Sequence, residues 1–309
     1  MSFSSDVKNE MMSKPVTARH CMIAEVTGYI VNMSRIGVTD DKMTLIFESE
    51  HEDYLERVSM LLSKLYEIKT SPSGIDDKKS CRIVVSDEES IGKIFEYCRI
   101  KLRKDNDGMV HICHEISPML IKSACCVRTY LQTAFLCCGS VTDPEKSYHL
   151  EFAGTHPEKL RQIQDMLSHY DIMAKMTTRK NGYVLYVKEG QQIVDCLNIM
   201  GAHSSLLNME NSIVMKEFRN NLNRKVNCET ANLIKSANAG SRQKADIELL
   251  RDLGKLDKLP EALREIGLLR LEYPDISLKE LGEMCDPPVS KSCVNHRLRK
   301  ISEIAENER

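Results

Sequence analysis

Leu45-Ile-Phe-Glu-Ser-Glu-His-Glu-Asp-Tyr-Leu55 is written a second time as Leu150-Glu-Phe-Ala-Gly-Thr-His-Pro-Glu-Lys-Leu160. Leu45/Leu150, Phe47/Phe152, His51/His156 and Leu55/Leu160 share one offset of 105 positions, and Leu62/Leu167 extends it. Further on, Ile83-Val-Val85 and Ile91 correspond to Leu185-Tyr-Val187 and Ile193 at an offset of 102, so the second copy has lost three residues in a loop. Eight matches in register define an internal duplication, and a duplication sets the plan of the fold before any element is assigned.

Each copy reads helix, strand, helix, strand, strand, helix, with room for one further strand early on. In the second copy, residues 125–138 are an apolar helix, and Tyr148 to Phe152 alternates as a strand. His156 to Tyr170 is amphipathic, with Leu160, Ile163 and Leu167 on one side. Ile172 to Arg179 and Tyr183 to Lys188 read as strands joined through the hairpin signal Asn181-Gly182, and Gln191 to Met200 as the closing helix. In the first copy the helices fall roughly at 21–33, 51–66 and 87–100, strands surround Leu45 and Ile83, and Ser71-Pro-Ser-Gly74 is a turn.

The first helix of each copy contains Val26-Thr-Gly28-Tyr-Ile30 and Leu131-Gln-Thr133-Ala-Phe135: apolar segments with small residues where a second backbone could approach. Side by side, they would form a pseudo-twofold seam with one sheet spreading from each copy. This resembles the LAGLIDADG homing-endonuclease fold. The resemblance implies paired sheets that saddle DNA and an acidic residue at the foot of each seam helix to bind a catalytic metal. Aligned on the nine-residue motif, the copies are Val26 to Ser34 and Leu131 to Gly139, and the acidic eighth position is Met33 in one and Cys138 in the other. Phosphodiester hydrolysis needs carboxylates to hold Mg²⁺ against the phosphate. A thioether or thiol does not suit so hard a cation. Asp40, Asp41 and Asp143 lie in loops past the motif. The expectation is a retained fold without nuclease chemistry: no catalytic residue, metal or cofactor.

The other informative stretch is Val289-Ser-Lys-Ser-Cys-Val-Asn-His-Arg-Leu-Arg-Lys-Ile301, with four Lys/Arg and no acid. Val294, Leu298, Ile301 and Ala305 make one apolar helix face. Ser290, Lys291, Ser292, Asn295, His296, Arg297, Arg299 and Lys300 are left as the DNA-contact candidates. Asn and Arg can each bond one base edge twice in the major groove, so Asn295, Arg297 and Ser292 are candidates for bases or phosphates. Lys291, Arg299 and Lys300 are candidates for phosphates. Upstream, Leu263, Ile266 and Leu269 mark a helix ending before Pro274. Ser277-Leu-Lys-Glu280 is a capping box, Leu278, Leu281 and Met284 give a short helix, and Pro287-Pro288 stops it. Short helix, turn and longer basic helix capped by Ser290 is the helix-turn-helix pattern. The alternative is a solvated basic face on a helical bundle.

Composition limits the classes. The chain has 309 residues and a formal net charge of −2, which excludes coating nucleic acid by bulk charge. A local excess of +5 runs from Arg219 to Lys244, with Arg219, Arg224, Lys225, Arg242 and Lys244 as auxiliary DNA-binding candidates. Met1 to Met12 is polar, without the apolar core of a leader peptide, and no apolar run is long enough for a bilayer. A cytoplasmic, nucleoid-associated protein is expected. The twelve cysteines lack the spacing of a disulfide framework. Cys125-Cys126 and Cys137-Cys138 are adjacent on helices, so neither pair is a metal clamp. His111-Ile-Cys113-His114 has no second ligand cluster at zinc spacing. Buried reduced thiols fit the pattern better.

A worn LAGLIDADG pair followed by a helix-turn-helix resembles the WhiA family along nearly the whole chain. The likeness includes Phe3 to Glu10, Cys126 to Leu131, Gly139 to Lys146, Tyr148 to Phe152 and Asn223 to Asn232. Tyr273 to Gly282 and Pro287 to Arg299 are its most specific blocks. It departs at Cys293, where Gly is usual, and at Met33-Ser34, where Asn-Gly is usual. It implies a bacterial regulator of transcription that binds double-stranded DNA. Such proteins serve sporulation in filamentous actinobacteria and cell division and chromosome segregation elsewhere, with a helix-turn-helix like sigma region 4. It leaves room for a protein partner, another regulator or RNA polymerase. The expected architecture is α+β. A duplicated domain covers 1–200 (copies about 15–105 and 120–200), a partly basic helical linker 201–255, and an all-α DNA-binding domain 256–309. Two other readings stand beside it: an active metal-dependent endonuclease, and an N-terminal protein- or ligand-binding sensor.

Overall fold

The computed structural model describes residues 2–39, 42–75, 79–105 and 109–309. The chain forms two units, Met1–Lys216 and Glu217–Arg309. The first opens with α1 (Phe3–Met12), where Ser2 caps the Ser5 N–H and Val7 and Met11 are buried. Copy one then runs α2 (Arg19–Met33), β1 (Ser34–Thr39), β2 (Lys42–Ser49), α3 (Glu52–Tyr66), β3 (Ser73–Gly74), β4 (Cys81–Val85) and α4 (Glu88–Tyr97). A hairpin of β5 (Leu102–Lys104) and β6 (Val110–Ile112) follows. Copy two is α5 (Ala124–Cys138), β7 (Gly139–Val141), β8 (Leu150–Gly154), α6 (Pro157–Ser168), β9 (Lys175–Arg179), β10 (Gly182–Val187) and α7 (Gly190–Ile199). Then α8 spans His203–Asp252 as one helix.

The duplication is carried into the hydrogen-bond ladders. The two antiparallel sheets have orders β1-β2-β4-β3 and β7-β8-β10-β9. Leu45 pairs with Val85 and Phe47 with Ile83, while Leu150 pairs with Val187 and Phe152 with Leu185. All eight are buried, because alternate residues of a strand share one face. The early strand for which each copy had room is β1 and β7. Two boundaries move. The hairpin loop is Lys180-Asn181, and Gly182 already pairs with Arg179. The strand expected from Ile172 starts at Lys175, because left-handed Asp171 turns Ile172 back so that its N–H reaches the Leu167 carbonyl of α6.

α2 and α5 form the seam. Tyr29, Ile30, Ala134 and Phe135 on them are fully buried. A Cβ placed on Gly28 would sit 2.8 Å from the Thr133 Cβ, so this crossing tolerates no side chain on Gly28. Gly28 and Thr133 are equivalent positions in the two copies, and equivalents meet only at a twofold axis. Beside the seam the copies differ. Glu25 is buried and takes both oxygens to Arg57 of α3, at 2.8 and 3.1 Å. At the position equivalent to Arg57, Gln162 instead bridges the backbone N–H and carbonyl of Ile116.

The second unit contains the rest of α8, then α9 (Glu261–Glu272), α10 (Leu278–Glu283) and α11 (Lys291–Glu306). Ile247, Leu250, Leu263, Ile266, Leu281, Val294, Leu298 and Ile301 form its core. Each such side chain contributes about 1.5–3 kcal/mol by leaving water. The Ser277–Glu280 capping box forms in full. Buried Arg270 ties the turn before it by donating to the carbonyls of Pro274 and Ile276 at 3.1 and 2.9 Å. A Cβ on Gly282 would lie 2.4 Å from the Val289 carbonyl oxygen, so the turn between α10 and α11 requires glycine there.

Candidate nucleic-acid interface

Ser290 starts α11 by accepting the Cys293 N–H, as a side-chain oxygen does for the unpaired donors of a first turn. Val294, Leu298, Ile301 and Ala305 anchor the helix. Residues four apart on a helix stack in a row, so Ser292, His296 and Lys300 form the row opposite that anchor, and all three are exposed. Lys291, Asn295 and Arg299 form a second exposed row on one flank. With α8, Asn295 and Arg299 line a groove of about 260 Å³, shared with Ala239, Arg242 and Gln243. Arg299 bonds Glu303 one turn on, at 3.1 Å. No acid precedes Glu303 on this helix, so its first three turns present positive charge.

Arg297 sits on the other flank and is half-buried rather than presented to solvent. Its Nη1 lies 3.7 Å from Glu265 Oε2 on α9, and the other Glu265 oxygen accepts the Asp286 N–H at 2.8 Å. The auxiliary candidates are dispersed along α8. Arg219, Arg224 and Lys225 are exposed, Lys244 is half-buried, and Arg242 is bonded to Glu306.

At the foot of the seam, Met33 packs against the core. Cys138 Sγ donates to the Ala134 carbonyl at 3.1 Å and lies 3.6 Å from Asn32 Oδ1. Burial raises the Cys138 thiol above the ordinary thiol range, which keeps it protonated. Asp143 Oδ1 accepts the Glu145 N–H at 2.9 Å within its own loop, and Asp40 and Asp41 lie outside the described residues.

The ligand-like residues of 111–114 separate. His114 stacks on His156 at 3.8 Å, and its Nδ1 is 3.0 Å from the Val31 carbonyl oxygen. His111 pairs with Asp105 at 2.8 Å. Burial lowers both His114 and His156 below the usual imidazole range, so this stack is neutral. Among the described residues, the one cluster of possible metal ligands is His20, Cys21, Cys125 and Cys126, at the other end of the seam. Its signal in the sequence is the repeat offset itself, which maps 20 to 125 and 21 to 126.

Residues 222–305 match the family profile described as the WhiA C-terminal HTH domain, and residues 33–101 and 127–219 match the WhiA LAGLIDADG-like domain. A probable cell division protein WhiA of Thermoanaerobacter pseudethanolicus is 43% identical over 315 residues, covering 99% of this chain and 97% of that protein. One of Clostridium novyi with the same description is 41% identical over 311 residues, covering 99% and 98%. The crystal structure of full-length WhiA from T. maritima superposes with a TM-score of 0.59 at 26% identity, covering 99% of both chains. With both profiles in their expected order and end-to-end relatives above 40% identity, this chain belongs to the WhiA family.

Proposed function

We propose that this chain is a non-enzymatic, sequence-specific DNA-binding regulator of transcription. It acts in cell division, as the description of its relatives as probable cell division proteins suggests, and, by the family resemblance, in chromosome segregation. The observation that carries the reading is α11: a capped, basic helix with an apolar back and the exposed row Ser292, His296 and Lys300 on its front. Entering a major groove by its N-terminal turns, it brings Ser292, Asn295 and His296 to base edges, with Lys291, Arg299 and Lys300 at phosphates. Arg297 holds the helix to α9 through Glu265. The first unit is a scaffold, with Met33 and Cys138 where an endonuclease of this fold carries acids. No helix among the described residues is long and apolar enough to cross a membrane, and the proposed place of action is the nucleoid.

Genome-wide pull-down of bound DNA supplies the target, and titrations on target and scrambled duplexes at several salt concentrations test the pose. Asn295→Ala should cost about 1–3 kcal/mol on the target and little on scrambled DNA. Lys300→Ala should weaken both alike and lower the salt slope by about one. Uniform loss from both substitutions rejects base reading by this helix, and no effect from either places the wrong helix on DNA.

A further inference from the structure

The heads of the two seam helices carry His20-Cys21 and Cys125-Cys126. Within either pair the side chains leave the helix in different directions, so neither reads as a clamp alone. The seam changes this by setting one pair against the other. His20 Nδ1 lies 3.1 Å from Cys126 Sγ, 3.3 Å from Cys21 Sγ and 3.9 Å from Cys125 Sγ. All four ligand atoms fall within 4.8 Å of one another. Around a tetrahedral zinc, with Zn–S about 2.3 Å and Zn–N about 2.0 Å, ligand atoms stand roughly 3.5–3.8 Å apart. The cluster reaches that geometry with small side-chain rotations.

We propose that His20, Cys21, Cys125 and Cys126 form a zinc-type site with three thiolates and one imidazole, clasping the heads of α2 and α5. Cys21 and Cys126 make its buried floor, against Ala24 and Val16. His20 and Cys125 are exposed and form the rim through which an ion enters. Soft and borderline donors of this kind select zinc over Mg²⁺ or Ca²⁺. With four protein ligands the site is closed, which marks a structural rather than a catalytic ion. The ligands occupy the second and third residues of their helices, and because burial raises the Cys21 and Cys126 thiols, it is the bound ion that must displace their protons. Binding releases three thiol protons to solvent and transfers no electrons. His20 coordinates through Nδ1 and keeps its proton on Nε2. The site lies about 20 Å along the helix from Met33, from the rise of 1.5 Å per residue, so it is separate from the seam foot.

The test is metal content and cobalt spectroscopy on the purified full-length protein. One zinc per chain is expected, and Co²⁺ in its place should show thiolate-to-cobalt charge transfer and the intense visible bands of tetrahedral cobalt. Cys21→Ser with Cys126→Ser should abolish both. Because those two residues are buried, the rim variants Cys125→Ser and His20→Gln are the cleaner probes. They should lower Co²⁺ affinity by roughly tenfold or more with unchanged far-ultraviolet circular dichroism, while Cys228→Ser binds like the wild type. Rim variants that bind as well as wild type, a cobalt spectrum without charge transfer, or a native disulfide among these cysteines would overturn the proposal. DNA binding is measured separately, so failure of one reading leaves the other standing.

Discussion

Arg297 and Glu265 meet across the junction of α11 and α9 at 3.7 Å, and the same carboxylate holds the Asp286 N–H in the turn between α10 and α11. One acid thus fixes both the angle of the basic helix and the loop that delivers it. Arg297→Ala should destabilise the second unit by about 1 kcal/mol, since the pair is partly exposed. It should also weaken target and scrambled DNA in equal proportion. Chemical unfolding and paired titrations check this; a selective loss on the target would make Arg297 a base reader instead.

Glu25 and Arg57 should respond differently, because Glu25 is buried, Arg57 is largely covered, and the two are doubly bonded. Arg57→Met strands a buried carboxylate and should cost about 3–5 kcal/mol of stability. Replacing both by Leu should recover most of that, which urea denaturation of the single and double variants measures.

Glu10 provides a pH-dependent contact. Burial raises its pKa, but donors from the Ser204 and Ser205 N–H groups and the Ser205 hydroxyl outweigh this, so the net shift is downward. A carboxylate with a lowered folded pKa adds stability above the ordinary carboxylate range, and loses it as pH falls through the folded value. Glu10→Gln should therefore cost about 1–2 kcal/mol at neutral pH, the value of an acid at a partly buried helix start. The gap between variant and wild type should close in acid, as thermal melts across pH will show.

Purified protein with Mg²⁺ or Mn²⁺ should leave bound DNA uncut. Met33 and Cys138 offer no hard ligand, and Asp143 is engaged in its own turn. Reproducible cleavage lost on Asp143→Ala or Asp40→Ala would reverse that assignment.

Periodicity made the repeated core legible. Leu45, Phe47 and their partners in both copies were readable because alternation and a constant offset fix strand faces and register together. Ser277, Glu280 and Ser290 were readable because caps act within one turn of chain. What escaped depends on distance. Arg57 reaches Glu25 across 32 positions, and its equivalent, Gln162, gives no hint of the pairing. Arg297 lies at the edge between the anchored and open faces of α11, so only the placement of α9 decides which way it turns. The β5–β6 hairpin is short and largely exposed, leaving little alternation to read. Cys125-Cys126 is no clamp within its own helix and His20-Cys21 gives no signal by itself, because the geometry of the four arises between copies.

The contact of Gly28 with Thr133 bears on how such a chain evolves. A duplicated gene passes through a stage with identical halves, and an on-axis position then faces itself. Two glycines there leave a gap; two threonines collide. Once one half took the small residue and the other the larger, each became the sole fit for its sibling. The threonine-bearing half can no longer pair with a copy of itself as a single-repeat protein.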